Sequence, residues 1–114
     1  MLIYKVCSAA DWTEAKRVGT YRGSPDDLRD GFIHFSTAAQ LAETLARHFA
    51  GRGDLVLVAV DAGHLGTTLK WEPSRGGALF PHLYAELPTS AAIWMKPLEI
   101  GADGRHNVPV LPEN

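Results

Sequence analysis

Three short stretches concentrate the side chains of this chain that could do chemistry. The sharpest is Asp30-Gly31-Phe32-Ile33-His34-Phe35-Ser36-Thr37. Here a strand runs into a helix start, with His34 between two phenylalanines. A side-chain period of two puts Phe32, His34 and Ser36 on one face and Ile33 and Phe35 on the other. A histidine on an internal strand must meet a hydrogen-bond partner or line a cavity. His34 is therefore either a satisfied core residue or a ligand contact. Ser36 and Thr37 are helix caps on the plainer reading, and Ser36 is also a candidate contact.

The second stretch is Trp71-Glu72-Pro73-Ser74-Arg75-Gly76-Gly77. Glycines beside an arginine let backbone amides approach an anion, and Arg75 can grip a phosphate or carboxylate in two-pronged fashion. An exposed turn with a solvated arginine would read the same. The third stretch is Leu79-Phe80-Pro81-His82-Leu83-Tyr84-Ala85-Glu86. On a strand, His82, Tyr84 and Glu86 share a face and could supply a base, a stacking ring and a carboxylate. They could equally form the polar face of an edge strand, the place Pro81 favours.

Other chemistries lack their residues. The five histidines are His34, His48, His64, His82 and His106, and no two have the i, i+4 spacing of a zinc-peptidase helix. No metal site is expected. Cys7 stands alone, cannot form an internal disulfide, and reads as a small buried residue. No phosphate-binding loop, GxGxxG fingerprint or GxSxG elbow occurs.

The elements that must position these residues follow from pattern. Leu2 to Cys7 is rich in β-formers and reads as a first strand. Ser8 caps a helix over 9–18, with Asp11 as its capping-box partner and Gly19 as its stop. Helical spacing makes Trp12 a core anchor. Ser24-Pro25-Asp26-Asp27 opens a short helical turn. Residues 31–36 form a strand, and Thr37 with Gln40 caps a helix reaching Phe49 or Ala50. Leu55 to Val60 is almost wholly apolar, so it is a strand buried on both faces. Short strands follow at 69–72 and 92–96, and between them 79–86 runs from a loop into a strand. Helices early and strands late predict an α+β fold.

The chain has 114 residues, 46% of them hydrophobic, which suffices for one domain with one core. The expected division is a domain over 1–100 and a tail over 101–114. A net charge of −2 provides no field to draw DNA or an anionic membrane. The run Leu55 to Val60 is far too short to span a bilayer. The N-terminal residues lack a signal-peptide pattern. With a single cysteine, these features place the expected location in the cytoplasm. Oligomeric state is open.

The chain resembles domain-of-unknown-function family 952, a group of uncharacterised bacterial and plant proteins. The stretches that carry the likeness are Ile3-Tyr4-Lys5, Trp12, Gly31 to Thr37 with Gln40, His48-Phe49, Asp54 to Leu57, Val60-Asp61, Trp71-Glu72 and Phe80 to Tyr84. More distantly, the order of elements is similar to the ADP-ribosyltransferase fold of RNA 2′-phosphotransferases. There Ile33-His34-Phe35-Ser36 matches a Val-His-Leu-Ser type motif. That resemblance implies an ADP-ribosyltransferase-like α+β fold, with two small antiparallel or mixed sheets, two main helices and a cleft between the sheets. It also implies NAD as the cofactor. Tyr4-Lys5 stands where those enzymes carry a first-strand histidine, and charged lysine cannot accept a ribose hydroxyl proton.

Three functions compete. One is a non-catalytic domain binding a small nucleotide-like molecule through His34, Ser36, Arg75, His82, Tyr84 and Tyr21. The second is an NAD-dependent ADP-ribosyl- or phosphotransferase-like enzyme, with Glu72 or Glu86 stabilising the oxocarbenium-like centre. The third is a protein-interaction module displaying Trp71, Trp94 and Phe80 on one exposed patch.

Overall fold

The structure, a computed structural model, describes residues 1–112, with the side chain of Arg75 outside that description. The apolar run in mid-chain becomes β4 (Leu55–Asp61), the central strand of a three-stranded antiparallel sheet. Its neighbours are β1 (Leu2–Ser8) and β8 (Ala92–Leu98), in the order β1-β4-β8. Both faces of β4 are covered, as a continuous apolar strand requires. On one face Ile3, Val56, Val58 and Val60 pack with Trp12 and Tyr21. On the other, Tyr4, Val6, Leu57 and Ala59 pack with Leu41 and Leu45. Burying each large apolar side chain is worth roughly 1.5–3 kcal/mol, so this two-sided core dominates the stability.

The helices that cover the sheet start and stop where local chemistry dictates. α1 (Ala9–Val18) begins at Ser8, whose hydroxyl accepts from the Asp11 N–H at 3.0 Å. It ends at Gly19, whose φ of 98° few other residues tolerate. α3 (Leu41–His48) starts later than its sequence signal. The reciprocal bonds between Thr37 and Gln40 do form, at 3.0 and 3.3 Å, but they close a turn ahead of the first helical residue. Between these helices lies α2 (Pro25–Asp30), with a full capping box between Ser24 and Asp27.

A second antiparallel sheet joins β3 (Ile33–His34), β6 (Leu79–Leu83) and β5 (Leu69–Pro73) in the order β3-β6-β5. A third, two-stranded sheet pairs β2 (Thr20–Tyr21) with β7 (Leu87–Pro88). The described chain is thus α+β with three small antiparallel sheets, where two were expected. β6 is also not the edge strand that Pro81 suggested; it is the centre of its sheet. Central placement is tolerated because Pro81 sits where the partner strand ends. The Phe35 N–H donates to the Pro81 carbonyl at 3.0 Å, but Pro81 has no N–H to return to Phe35. The ladder therefore stops at the His34–His82 pair, and β3 has two residues rather than six.

Beyond that point the chain crosses to the first sheet. Tyr4 and Ser36 exchange backbone hydrogen bonds at 2.8 and 2.9 Å. Among the described residues this is the one bridge between the two three-stranded sheets, and residues 4–6 and 34–36 on its two sides line a common cavity. The segment after Gly101 is anchored as well. Ile100 bridges to His106, whose Nε2 lies 2.7 Å from the Arg52 carbonyl, and Leu111 packs on the core. Among the described residues, no helix is long and apolar enough to cross a membrane.

Candidate functional site

A cleft of about 270 Å³ lies between β1 and β3. Lys5 and Val6 form one wall, α2 and its flanks a second, and His48 and Phe49 a third. Phe80 and His82 come from β6. His34 and Ser36 enter from the other side of the bridge.

Asp27 is the hub of this cleft. Its Oδ2 accepts from Lys5 Nζ at 2.8 Å and from the Ser24 N–H at 2.9 Å. Its Oδ1 faces His34 Nδ1 at 2.6 Å and accepts the His34 N–H at 3.1 Å. The Lys5 and Asp27 side chains are 5% and 1% exposed, so a complete ion pair lies under the floor. Burial alone would push the Asp27 carboxyl up. The His34 hydrogen bond and the Lys5 ammonium outweigh it and hold the group well below the usual carboxylate range. Gly23 is part of the hub, because a Cβ there would sit 2.7 Å from that of Asp27 and its φ is 118°.

His34 is clamped from both sides, since its Nε2 lies 3.0 Å from Asp30 Oδ2. A ring protonated on both nitrogens can donate to both carboxylates; a neutral ring can donate to one. Asp30 is also bound to Arg29 at 3.0 Å, which lowers its carboxyl.

His82 is the second oriented histidine. Its Nδ1 lies 2.9 Å from Glu72 Oε1, and the same oxygen accepts from the Tyr84 hydroxyl at 2.7 Å. The hydrogen bonds from Tyr84 and then His82 lower the Glu72 carboxyl, so it is an acceptor. His82 Nδ1 is therefore the donor, and in the neutral ring Nε2 keeps a lone pair. Phe32 stacks on the His82 ring at 4.0 Å and tilts against His34 at 4.5 Å, filling the space beside both. The two histidine rings are 5.5 Å apart, edge to face.

The expected site residues are thus divided. His34, Ser36 and His82 line the cleft. Ser36 spends its hydroxyl on Thr44 at 2.8 Å, pinning α3 to the bridge. Glu72 and Tyr84 lie behind His82 and act on the cleft through it. Glu86 is elsewhere: the chain leaves β6 after Leu83, and Glu86 pairs with Arg22 at 3.0 Å on the surface. Tyr21 is buried in the α1 face of the core. Arg75 sits in a helical turn beside the cleft residue Ser74, its side chain outside the described part. Trp71, Trp94 and Phe80 do not share one exposed patch. Phe80 is buried in the cleft wall and Trp94 leans on Tyr4, which leaves Trp71 exposed.

Sequence reasoning missed Lys5, Asp27 and Asp30. A signal existed for the first, because a lysine inside an apolar strand needs a buried partner. Asp27 was legible as a cap, and that role hid its second one. Among the described residues, no group of His, Cys, Asp or Glu is arranged to hold a metal ion.

Comparison with known proteins agrees with this architecture. Residues 6–95 match the family described as protein of unknown function (DUF952). The crystal structure of the Caulobacter crescentus protein CC0527 is similar, with 50% identity, 94% of each chain covered and a TM-score of 0.90. The solution NMR structure of CC0527 is similar too, with 52% identity over 91% of this chain and 90% of that one, and a TM-score of 0.83. No curated protein matches the chain.

Proposed function

This chain belongs to the family described as protein of unknown function (DUF952), and we propose that its cleft binds a small nucleotide-like molecule without consuming it. The observation that carries the reading is convergence. His34 and His82, distant in sequence, line one cavity, and each has its Nδ1 held by a carboxylate. Orienting His82 in this way fixes what its Nε2 presents to a ligand, whereas the Nε2 of His34 is held by Asp30, so His34 meets a ligand through its ring.

Two further features favour a flat, hydrogen-bonding ring. Phe35 and Phe80 contribute aromatic surface to the cavity. Tyr4 spends its backbone N–H and C=O on Ser36, so Val6, two residues on, turns the same pair toward the cleft. No strand pairs with Val6 on that side among the described residues. An adjacent donor and acceptor on a strand edge match the edge of a nucleobase. About 270 Å³ is small for a ligand site and suits one ring system better than a dinucleotide.

An ADP-ribosyltransferase-like fold is part of this proposal, supported by two small sheets that line one cleft. A cytoplasmic location is another part, supported by a single, buried cysteine. The second reading is an NAD-dependent transferase, favoured by two oriented histidines in one cavity. The cavity volume counts against it, and so does Lys5, which stands at the first-strand histidine position but is buried on Asp27.

Thermal-shift and NMR titrations with adenosine, ADP-ribose and NAD test the proposal. The expected result is a saturable shift centred on His34 and His82, with ligand recovered unchanged. Alanine at His82 should abolish the shift while the far-UV spectrum is kept. Turnover of NAD would replace this reading with the transferase one. No saturable response to any of the three would remove both.

A further inference from the structure

We propose that residues 22–32 form a lid over the cleft, latched by Asp27, which opens to admit the ligand and closes on it. A lid supplies the route of entry that the nucleotide-like reading above leaves open, and it rests on that reading only for the choice of probe.

The segment lies between two fixed points. Tyr21 before it and Ile33 after it are packed in the core. Of residues 22–32, only Asp27 is buried. The sole buried side chain of α2 is thus a carboxylate, and Leu28, its one large apolar residue, is 65% exposed. A helix that covers a core buries an apolar stripe. This one covers a cavity instead, which Ser24, Asp26, Asp27, Arg29 and Asp30 line.

The ties that hold the segment down are few and mostly polar. Asp27 accepts from Lys5 at 2.8 Å and from the His34 N–H at 3.1 Å, and Asp30 reaches the His34 ring at 3.0 Å. Phe32 stacks on His82 at 4.0 Å, and Arg22 pairs with Glu86 at the surface. Opening hydrates Lys5 and Asp27 together and exposes little apolar surface. Its cost is therefore well below that of unfolding the two-sided core. The capping box between Ser24 and Asp27 lies within the segment, so α2 moves in one piece. Gly23 and Gly31, with φ of 118° and 86°, flank the helix and can absorb the change of direction.

Amide hydrogen exchange of the full chain, in a urea series below the unfolding transition, tests the lid. The N–H groups of Ser24, Leu28 and Gly31 are bonded inside the segment at 2.9 Å each, and that of His34 is bonded to it. These four should share one opening constant, insensitive to urea and about a hundredfold or more above that of β4. The N–H of Ile33, which faces β6, should exchange more slowly than all four. With adenosine at about ten times its dissociation constant, the four should slow about tenfold further, because a ligand held under the lid opposes opening. Unrelated opening constants, or a shared one that rises with urea alongside β4, would overturn the lid. So would adenosine that binds without slowing the four, a result that leaves the nucleotide-like reading standing. If adenosine does not bind, that reading falls, and the urea series on the free chain decides the lid by itself.

Discussion

Replacing Asp27 by Asn keeps the shape of the hub and removes its charge. The Asn carbonyl can still face His34. Its amide group then points hydrogens at Lys5 Nζ and at the Ser24 N–H, where the wild-type carboxylate oxygen accepts from both. Lys5, only 5% exposed, is left as a buried charge without its counter-ion. Breaking a buried pair on one side costs about 3–5 kcal/mol. Against a total stability of about 5–15 kcal/mol for a domain, the variant should be close to its folding threshold. Urea denaturation followed by the fluorescence of buried Trp12 reads the loss directly. Exchanging Lys5 for Met in the Asp27→Asn background removes the stranded charge. The double variant should then be more stable than the sum of the single losses by about 2 kcal/mol. A loss below about 1 kcal/mol for Asp27→Asn, or strict additivity in the cycle, would refute the hub as a coupled buried network.

Two other outcomes follow from ionisation. The native Asp27 carboxyl is depressed below its unfolded value of about 3.9. The folded state therefore binds fewer protons than the unfolded one, and stability falls as pH drops below about 4 toward the native value. Denaturation midpoints between pH 7 and pH 2.5 should show this decline, and Asp27→Asn should flatten it; an equally steep variant would argue against Asp27 as its source. Burial raises the Cys7 thiol to about 11, so at pH 8 it is un-ionised and enclosed. Labelling by a thiol reagent should be limited by unfolding, and labelling as fast as in urea would show that the β1 face opens readily.

Whatever depends on neighbours in sequence could be read without a structure. The two-sided burial of β4 is written in six apolar residues, because no polar position is left to face water. The ends of α1 are written in Ser8 and Gly19, because capping is a matter of the first and last turns. His34, Ser36 and His82 could be singled out because a polar residue among aromatics on a strand needs a reason. Pairing across the chain decided the rest. Pro81 reads as an edge signal, yet its missing N–H costs little in a central strand when the partner strand ends there. Glu86 has the right spacing from His82 on an ideal strand, yet Glu72 reaches that histidine because antiparallel pairing of β5 with β6 lays it alongside. Lys5 and Asp27 carry no mutual signal in sequence. They become one buried ion pair only when α2 closes over the edge of β1, since electrostatic partnership depends on distance and burial, which the tertiary fold sets.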